Sequence, residues 1–291
     1  MSGQQLPVTV GVDGGAPSAM AVRWAIAEAR TRRAPLRLMY VRERQMTGTV
    51  LGAALEETIG KAGDLAVAGA IADGDRVRVL VEESARCQLL VLGARRLGRL
   101  SGAVLGSVNS AVTARSACPV VVVRGQSGYP EGHVVVGVSR VDGGEETDDV
   151  LEFAFDHAAR HRLPVRAVLC LRPGPGSDRR ATGSVAFLAS DRVSSGDLSE
   201  ALAGWQDKYP DVPVECRVRE AHAVDGLLEE ALQASLVVVG AHGRNALAGT
   251  FLGSVSQGVL HHATSPVAVV HPAGGSGSTV GWSVGRLGRA R

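Results

Sequence analysis

Lysine is almost absent from this 291-residue chain: of 31 basic side chains, only Lys61 and Lys208 are lysines. A phosphate loop of the Gly-Lys-[Ser/Thr] kind needs a lysine in that setting, and Gly60-Lys61-Ala62 is the nearest approach, so P-loop NTPases are excluded. An excess of one charge is also missing, with 31 basic against 29 acidic groups. A dedicated nucleic-acid binder needs a clear basic surplus for its phosphate contacts, so no nucleic-acid partner is expected. Aromatics are only 3%, which leaves Val, Leu, Ile and Ala to build the core. Apolar runs such as Val120–Val123 and Leu236–Val239 stop at four residues, far short of the ~20 that span a bilayer, so no membrane association is expected. The four cysteines, Cys87, Cys118, Cys170 and Cys216, are scattered without any C-x-x-C. With the short polar stretch Met1–Pro7, unlike an export signal, they read as reduced thiols in a cytoplasmic protein.

What is present is a balance of 45% apolar and 21% charged residues, that of a folded protein long enough for two domains. The sequence also repeats itself. Val8-Thr9-Val10-Gly11-Val12-Asp13 matches Val134-Val135-Val136-Gly137-Val138-Ser139. Trp24-Ala25 and Ala34-Pro35-Leu36-Arg37 match Phe153-Ala154 and Leu163-Pro164-Val165-Arg166, 129 residues on. Leu89–Ala94, Val104-Leu105-Gly106-Ser107-Val108 and Ser116–Val120 match Leu236–Ala241, Phe251-Leu252-Gly253-Ser254-Val255 and Ala263–Val267, now 147 residues on. Unchanged order makes this a tandem duplication. The 18 extra residues of copy two fall in Arg172–Ser195, a stretch rich in Gly, Pro, Ser and Arg that reads as a loop.

In copy one, strands are expected at Val8–Val12, Leu36–Val41, Leu65–Ile71, Leu89–Leu92 and Val120–Val123. Helices are expected at Ser18–Arg30, Gly52–Ala62, Val77–Arg86 and Ser107–Ala114. Val and Leu runs without polar alternation belong to strands covered on both faces, hence to parallel sheets in α/β layers. The expected fold is two tandem copies of an open, doubly wound, five-stranded parallel sheet of the Rossmann-like kind. The domains are read as 1–128 and 129–271, followed by a disordered Gly/Ser/Arg tail, 272–291. Residues 1–128 carry 16 basic and 10 acidic groups, and the remainder 15 and 19. That asymmetry reads either as a basic face drawn to anions, as attraction between the halves, or as drift of a solvated surface.

Ligands of open parallel sheets sit beyond the carboxyl ends of the strands. There Leu236–Val239 runs into Gly240-Ala241-His242-Gly243, and nine residues later Gly253-Ser254 opens a helix. Glycine at 240 and 243 allows positive φ and close approach, while Gly253-Ser254 offers a helix N-terminus to a phosphate. Ser254 would cap the helix or donate to a phosphate oxygen. Gly93 and Gly106-Ser107 repeat the arrangement in copy one. The same glycines also fit a role in packing alone.

Gly-x-x-Gly, nine residues, then Gly-[Ser/Thr] after a buried strand, with Val10-Gly11-Val12-Asp13-Gly14 near the start, resembles the universal stress protein family in its two-domain tandem form. The resemblance covers residues 8–123 and 134–271, and the Arg-rich, Lys-poor composition fits a GC-rich bacterium such as an actinobacterium. It implies the adenine nucleotide α-hydrolase-like fold and ATP as ligand, with or without Mg2+. In copy one it implies contacts from Asp13, Val41, Gly93, Gly106, Ser107 and Val108; in copy two from Gly240, Gly243, Gly253, Ser254 and Val255, with Cys170 opposite Val41. Two departures stand out: Arg96 replaces the second loop glycine of copy one, and Ser139 replaces the strand-one Asp of copy two, with Asp142 three residues beyond. The implied activity is that of a non-catalytic, nucleotide-dependent regulator acting on an unidentified protein. The last strands would pair into an internal pseudo-dimer or a homo-oligomer. The alternatives are an interaction scaffold without nucleotide, or a weak ATPase or adenylyl-handling enzyme, for which Asp13 alone is a candidate acid.

Other constellations read as structural. His157 and His161, four apart on an expected helix, could share a metal, but no Glu base lies between them and no third ligand is evident, so a surface or boundary helix is expected. His261-His262 point to different helix faces. His242 and its counterpart Arg95 suit phosphate contact more than catalysis. Glu145-Glu146-Thr147-Asp148-Asp149 suits a helix start. No catalytic residue and no metal ligand is assigned.

Overall fold

Valine and leucine runs form the centre of the molecule, as their β-branched and apolar side chains favour strands buried on both faces. The computed structural model describes residues 5–42, 49–94, 106–124, 132–139, 145–171, 193–241 and 252–272. Copy one contains β1 (Val8–Val12), α1 (Ala16–Arg32), β2 (Leu36–Arg42), α2 (Thr49–Ala62), β3 (Val67–Asp73), α3 (Arg76–Ser84), β4 (Leu89–Gly93), α4 (Ser107–Arg115) and β5 (Val120–Val123). Copy two contains β6 (Val134–Val138), α5 (Glu145–His161), β7 (Val165–Leu171), α6 (Ser195–Ala201), α7 (Ala203–Lys208), β8 (Val214–Glu220), α8 (Ala223–Glu230), β9 (Leu236–Gly240), α9 (Ser254–His262) and β10 (Val267–Val270). No helix among the described residues is long and apolar enough to cross a membrane.

The strands make one ten-stranded sheet in the order β3-β2-β1-β4-β5-β10-β9-β6-β7-β8. Each copy is parallel throughout, and the chain reverses its winding direction between β1 and β4, and again between β6 and β9. The copies meet edge to edge: β5 and β10 pair antiparallel, with Val120 opposite Val269 and Val122 opposite Val267. Both last-strand edges are thereby consumed within the chain. One apolar core lies beneath α1, α2, α5 and α6, the other beneath α3, α4, α8 and α9, and each runs through both copies.

The duplication extends to backbone and buried charge. Arg33 and Arg162 close α1 and α5 with left-handed backbone, φ 53° and 56°. Arg37 on β2 pairs with the buried Glu83 at 2.8 Å, and Arg166 on β7 with the buried Glu230 at 3.1 Å. Thr9 donates a further hydrogen bond to Glu83.

Several expectations need correction. The third strand begins at Val67, two residues late, because the Leu65 N–H closes a turn onto the Ala62 carbonyl. Ser195 is helical, held by a capping box between Ser194 and Asp197, while 172–192 lie outside the described residues. Residues 273–291, read as a disordered tail, lie outside them too. Cys87 and Cys118, 31 residues apart, bring their sulfurs to 3.6 Å in the core, where their mutual hydrogen bond and burial push the Cys87 thiol up. Helix α5 is no surface helix at His157, which is buried against α1, and the third donor beside the histidines is Glu28 of copy one.

Candidate functional site

The reversal between β1 and β4 opens a crevice at the carboxyl end of the sheet, where the chains leaving two neighbouring strands diverge. Val8 and Val10 of β1 stand beside Leu89 and Val91 of β4, so the same register carries Gly93 alongside Val12. Asp13 and Gly93 therefore flank the crevice. Val12 is also level with Tyr40 of β2, which puts Val41 at the same edge.

Asp13 is exposed, and its Oδ1 accepts the Gly15 N–H at 2.9 Å, holding a tight turn into α1. Gly14 supplies the left-handed backbone this turn requires, φ 80°. Oδ2 has no partner among the described residues. Val41, by contrast, is buried in the second core, 7% exposed, and offers a ligand little side-chain surface.

Gly93 answers to a neighbouring backbone. A Cβ there would lie 2.3 Å from the Pro17 carbonyl oxygen and 2.8 Å from the Ser18 nitrogen. The β4–α1 approach thus requires glycine whether or not a ligand is bound. Asn109 on α4 donates to the Gly93 carbonyl at 3.0 Å, which ties the start of α4 to the end of β4. Gly106 is the N-cap of α4, and a Cβ there would meet nothing within 4 Å among the described residues.

Helices α4 and α9, equivalent in the two copies, begin bare at this edge. Gly106 and Gly253 are N-caps with no side-chain cap, and the first helical hydrogen bonds come from Ser110 and Gln257. The N–H groups of Ser107, Val108, Asn109, Ser254, Val255 and Ser256 consequently have no partner within their helices. Ser254, expected either to cap or to donate to a phosphate oxygen, does not cap; like Ser107 it stands one residue inside the helix, exposed, while Val108 and Val255 lean on the second core. A cluster of free N–H groups and the positive end of a helix dipole favour an anion.

Copy two differs in detail. Gly240 is extended, paired with Val270, so positive φ is not what this glycine provides. The Gly253 N–H and the Ser256 hydroxyl both bind the Ala241 carbonyl, at 2.8 and 3.2 Å, closing the base of the intervening loop. Ser139 stands at the end of β6, its hydroxyl 3.4 Å from that of Thr147. Cys170 packs against α8: a Cβ on Gly226 would meet its sulfur at 2.7 Å. Arg95, Arg96, Asp142, His242 and Gly243 lie outside the described residues.

A cavity of about 420 Å³ opens beside the Asp13 turn, lined by Gly14, Gly15, Ser18, Arg23, Glu57 and Lys61. It follows the groove between α1 and α2, and none of the site residues expected from sequence lines it.

Comparison with known proteins agrees with this architecture. The profile of the universal stress protein family matches residues 6–70, 50–124 and 132–271. A universal stress protein of Mycolicibacterium smegmatis is 34% identical, with 93% of this chain and 99% of that protein covered. Another from Mycobacterium tuberculosis H37Rv is 32% identical, covering 91% and 97%. Among solved structures, a functionally unknown Pseudomonas aeruginosa PAO1 protein superposes with a TM-score of 0.69 over 93% of this chain and 94% of that one; at 18% identity it shows the shared fold alone. By the family profile and by its actinobacterial relatives, the chain belongs to the universal stress protein family, in a tandem form whose two copies share one sheet.

Proposed function

We propose that the protein binds ATP, with or without Mg2+, at the carboxyl edge of each copy and acts as a non-catalytic, nucleotide-dependent regulator in the cytoplasmic stress response. The observation that carries this reading is the pair of uncapped helix N-termini at equivalent places, α4 and α9, with no described residue within 4 Å of a Cβ built on Gly106, where a phosphate would sit. Asp13, with Oδ2 unused among the described residues, suits a ribose hydroxyl across the crevice. Bound nucleotide would order the loops that leave β4 and β9 and so alter the surface shown to a partner protein. With β5 and β10 already joined, assembly of further copies would use other surfaces. The domains 1–128 and 129–271 would each carry one site.

The test is the nucleotide content of the purified protein. Denaturing protein prepared without added nucleotide and separating the released material should give one or two ATP per chain. ADP alone would point to hydrolysis. No nucleotide, and no binding at millimolar ATP, would sink the proposal in favour of an interaction scaffold. One observation favours that second reading: Gly93 is explained by packing without any ligand.

Substitution separates the two further. Gly106→Val places a branched side chain clear of every described residue on extended backbone, φ −57° and ψ 146°, so stability should change by no more than about 1 kcal/mol. Nucleotide in copy one should be lost, and the double change with Gly253→Val should empty both. Unchanged ATP content in a folded double variant would show the assignment to be wrong.

A further inference from the structure

Helices α1 and α5 are the same helix of the two copies, and they meet across the line that relates the halves. Two pairs of equivalent positions face each other there, Glu28 with His157 and Arg32 with His161, each pair 129 residues apart. On each helix the two positions are four residues apart and leave from one face. The copies have diverged at these positions into a carboxylate and a guanidinium on one side and two imidazoles on the other.

His161 Nε2 lies 2.8 Å and His157 Nδ1 3.2 Å from the same carboxylate oxygen, Glu28 Oε2. The two imidazole centroids are 4.2 Å apart, and one donor atom from each of the three residues lies within 4.8 Å of the others. The other oxygen, Oε1, is taken by Arg32 Nε at 2.5 Å, which orients the carboxylate with Oε2 toward the histidines. Trp24 and Phe153, themselves equivalent positions, lie nearly parallel to the His157 ring at 6.1 and 6.4 Å and wall it in. Glu28 and His157 are buried, whereas His161 is 23% exposed and leaves an approach from solvent.

Donor atoms about 2.0–2.2 Å from a tetrahedral zinc ion stand roughly 3.3 Å from one another. The separations of 2.8 and 3.2 Å need only a small opening to accept one. Two imidazoles and a carboxylate, from two helices and with one side open, are the donor set of three-ligand zinc sites. We propose that Glu28, His157 and His161 form a binding site for a divalent cation of the zinc class, its fourth position facing solvent, which clasps the two copies together.

The neighbouring Arg32 charge opposes a cation, and Asp156, 3.9 Å from Arg32, partly offsets it. A cation held only by the docked halves would raise stability with its concentration.

The experiment uses the full chain, stripped with a chelator and free of nucleotide. Co2+ titration should give the visible absorption of low-coordinate cobalt, and Zn2+ competition against a chromogenic chelator should show one site per chain. His161→Gln and Glu28→Gln should each weaken binding at least about tenfold, while His262→Gln leaves it unchanged. Zn2+ should raise the Tm of the unaltered protein and not that of His161→Gln. Absence of a cobalt band in the unaltered protein overturns the proposal. So does equal affinity in His161→Gln, or a sulfur-to-cobalt transition showing that the cysteines bind instead. Should Glu28→Gln fail to fold, His161→Gln, altered at a partly exposed side chain, still decides.

Discussion

Gly93→Ala is expected to cost about 3 kcal/mol or more, although it adds a single methyl group. That methyl would lie 2.3 Å from the Pro17 oxygen, 2.5 Å from the Pro17 carbonyl carbon and 2.8 Å from the Ser18 nitrogen. All three are backbone atoms in the first turn of α1, so no rotamer change relieves the overlap. Relief requires α1 to lift off β4, and α1 covers the core of that face. Urea unfolding should show a lower midpoint with an unchanged slope, as expected for a change in stability alone. Gly106→Ala, thirteen residues away and clear of every described residue, is the control and should cost no more than about 1 kcal/mol. A loss below ~1 kcal/mol for Gly93→Ala would mean that β4 and α1 do not approach as closely as described.

Val121→Asp should have the second large effect and should reach both halves. Val121 is fully buried in the middle of β5, opposite Ala268 across the antiparallel seam. A carboxylate there must be buried in an apolar core or neutralised, at about 4 kcal/mol or more. The core beneath α1 and α5 continues through Val121 into Ala268 and Val270, so damage at the seam loosens copy two as much as copy one. Amide hydrogen exchange followed through β2 in copy one and β7 in copy two reports the two copies separately. Their transitions should shift together. If only the β2 transition moved, the copies would be independent units joined by a passive seam.

The two expected effects differ in how visible their causes are in the residue order. The run Val120–Val123 announces a buried strand by composition alone, and its pairing with the other last strand follows from the family resemblance. Gly93 was visible as a glycine ending a strand. That a neighbouring backbone, the Pro17 carbonyl, already requires glycine there depends on how α1 lies over β4. The expected positive φ at Gly240 failed for a related reason, since the β9–β10 ladder runs one residue further than the apolar run suggests. Val41 and Cys170 were placed correctly at the ends of the second strands, but neighbouring helices bury them more than strand position could reveal.

The main strands and helices of copy one, the duplication, the doubly wound parallel sheets and a glycine at the start of α4 and α9 were legible in the residue order. They rest on local periodicity, on capping chemistry and on identity between copies, each contained within a few neighbouring residues. The Glu28–His157–His161 cluster, the Cys87–Cys118 contact and the Gly93–Pro17 approach were not. Each joins residues 31 to 133 apart along the chain or links two separate elements, at distances set by register and by helix placement to within an ångström. His157 and His161 show why. Their spacing said only that they share a face of α5. The identity of the third donor waited on the pairing of β5 with β10, which swings α1 of the other copy, and Glu28 with it, against that face.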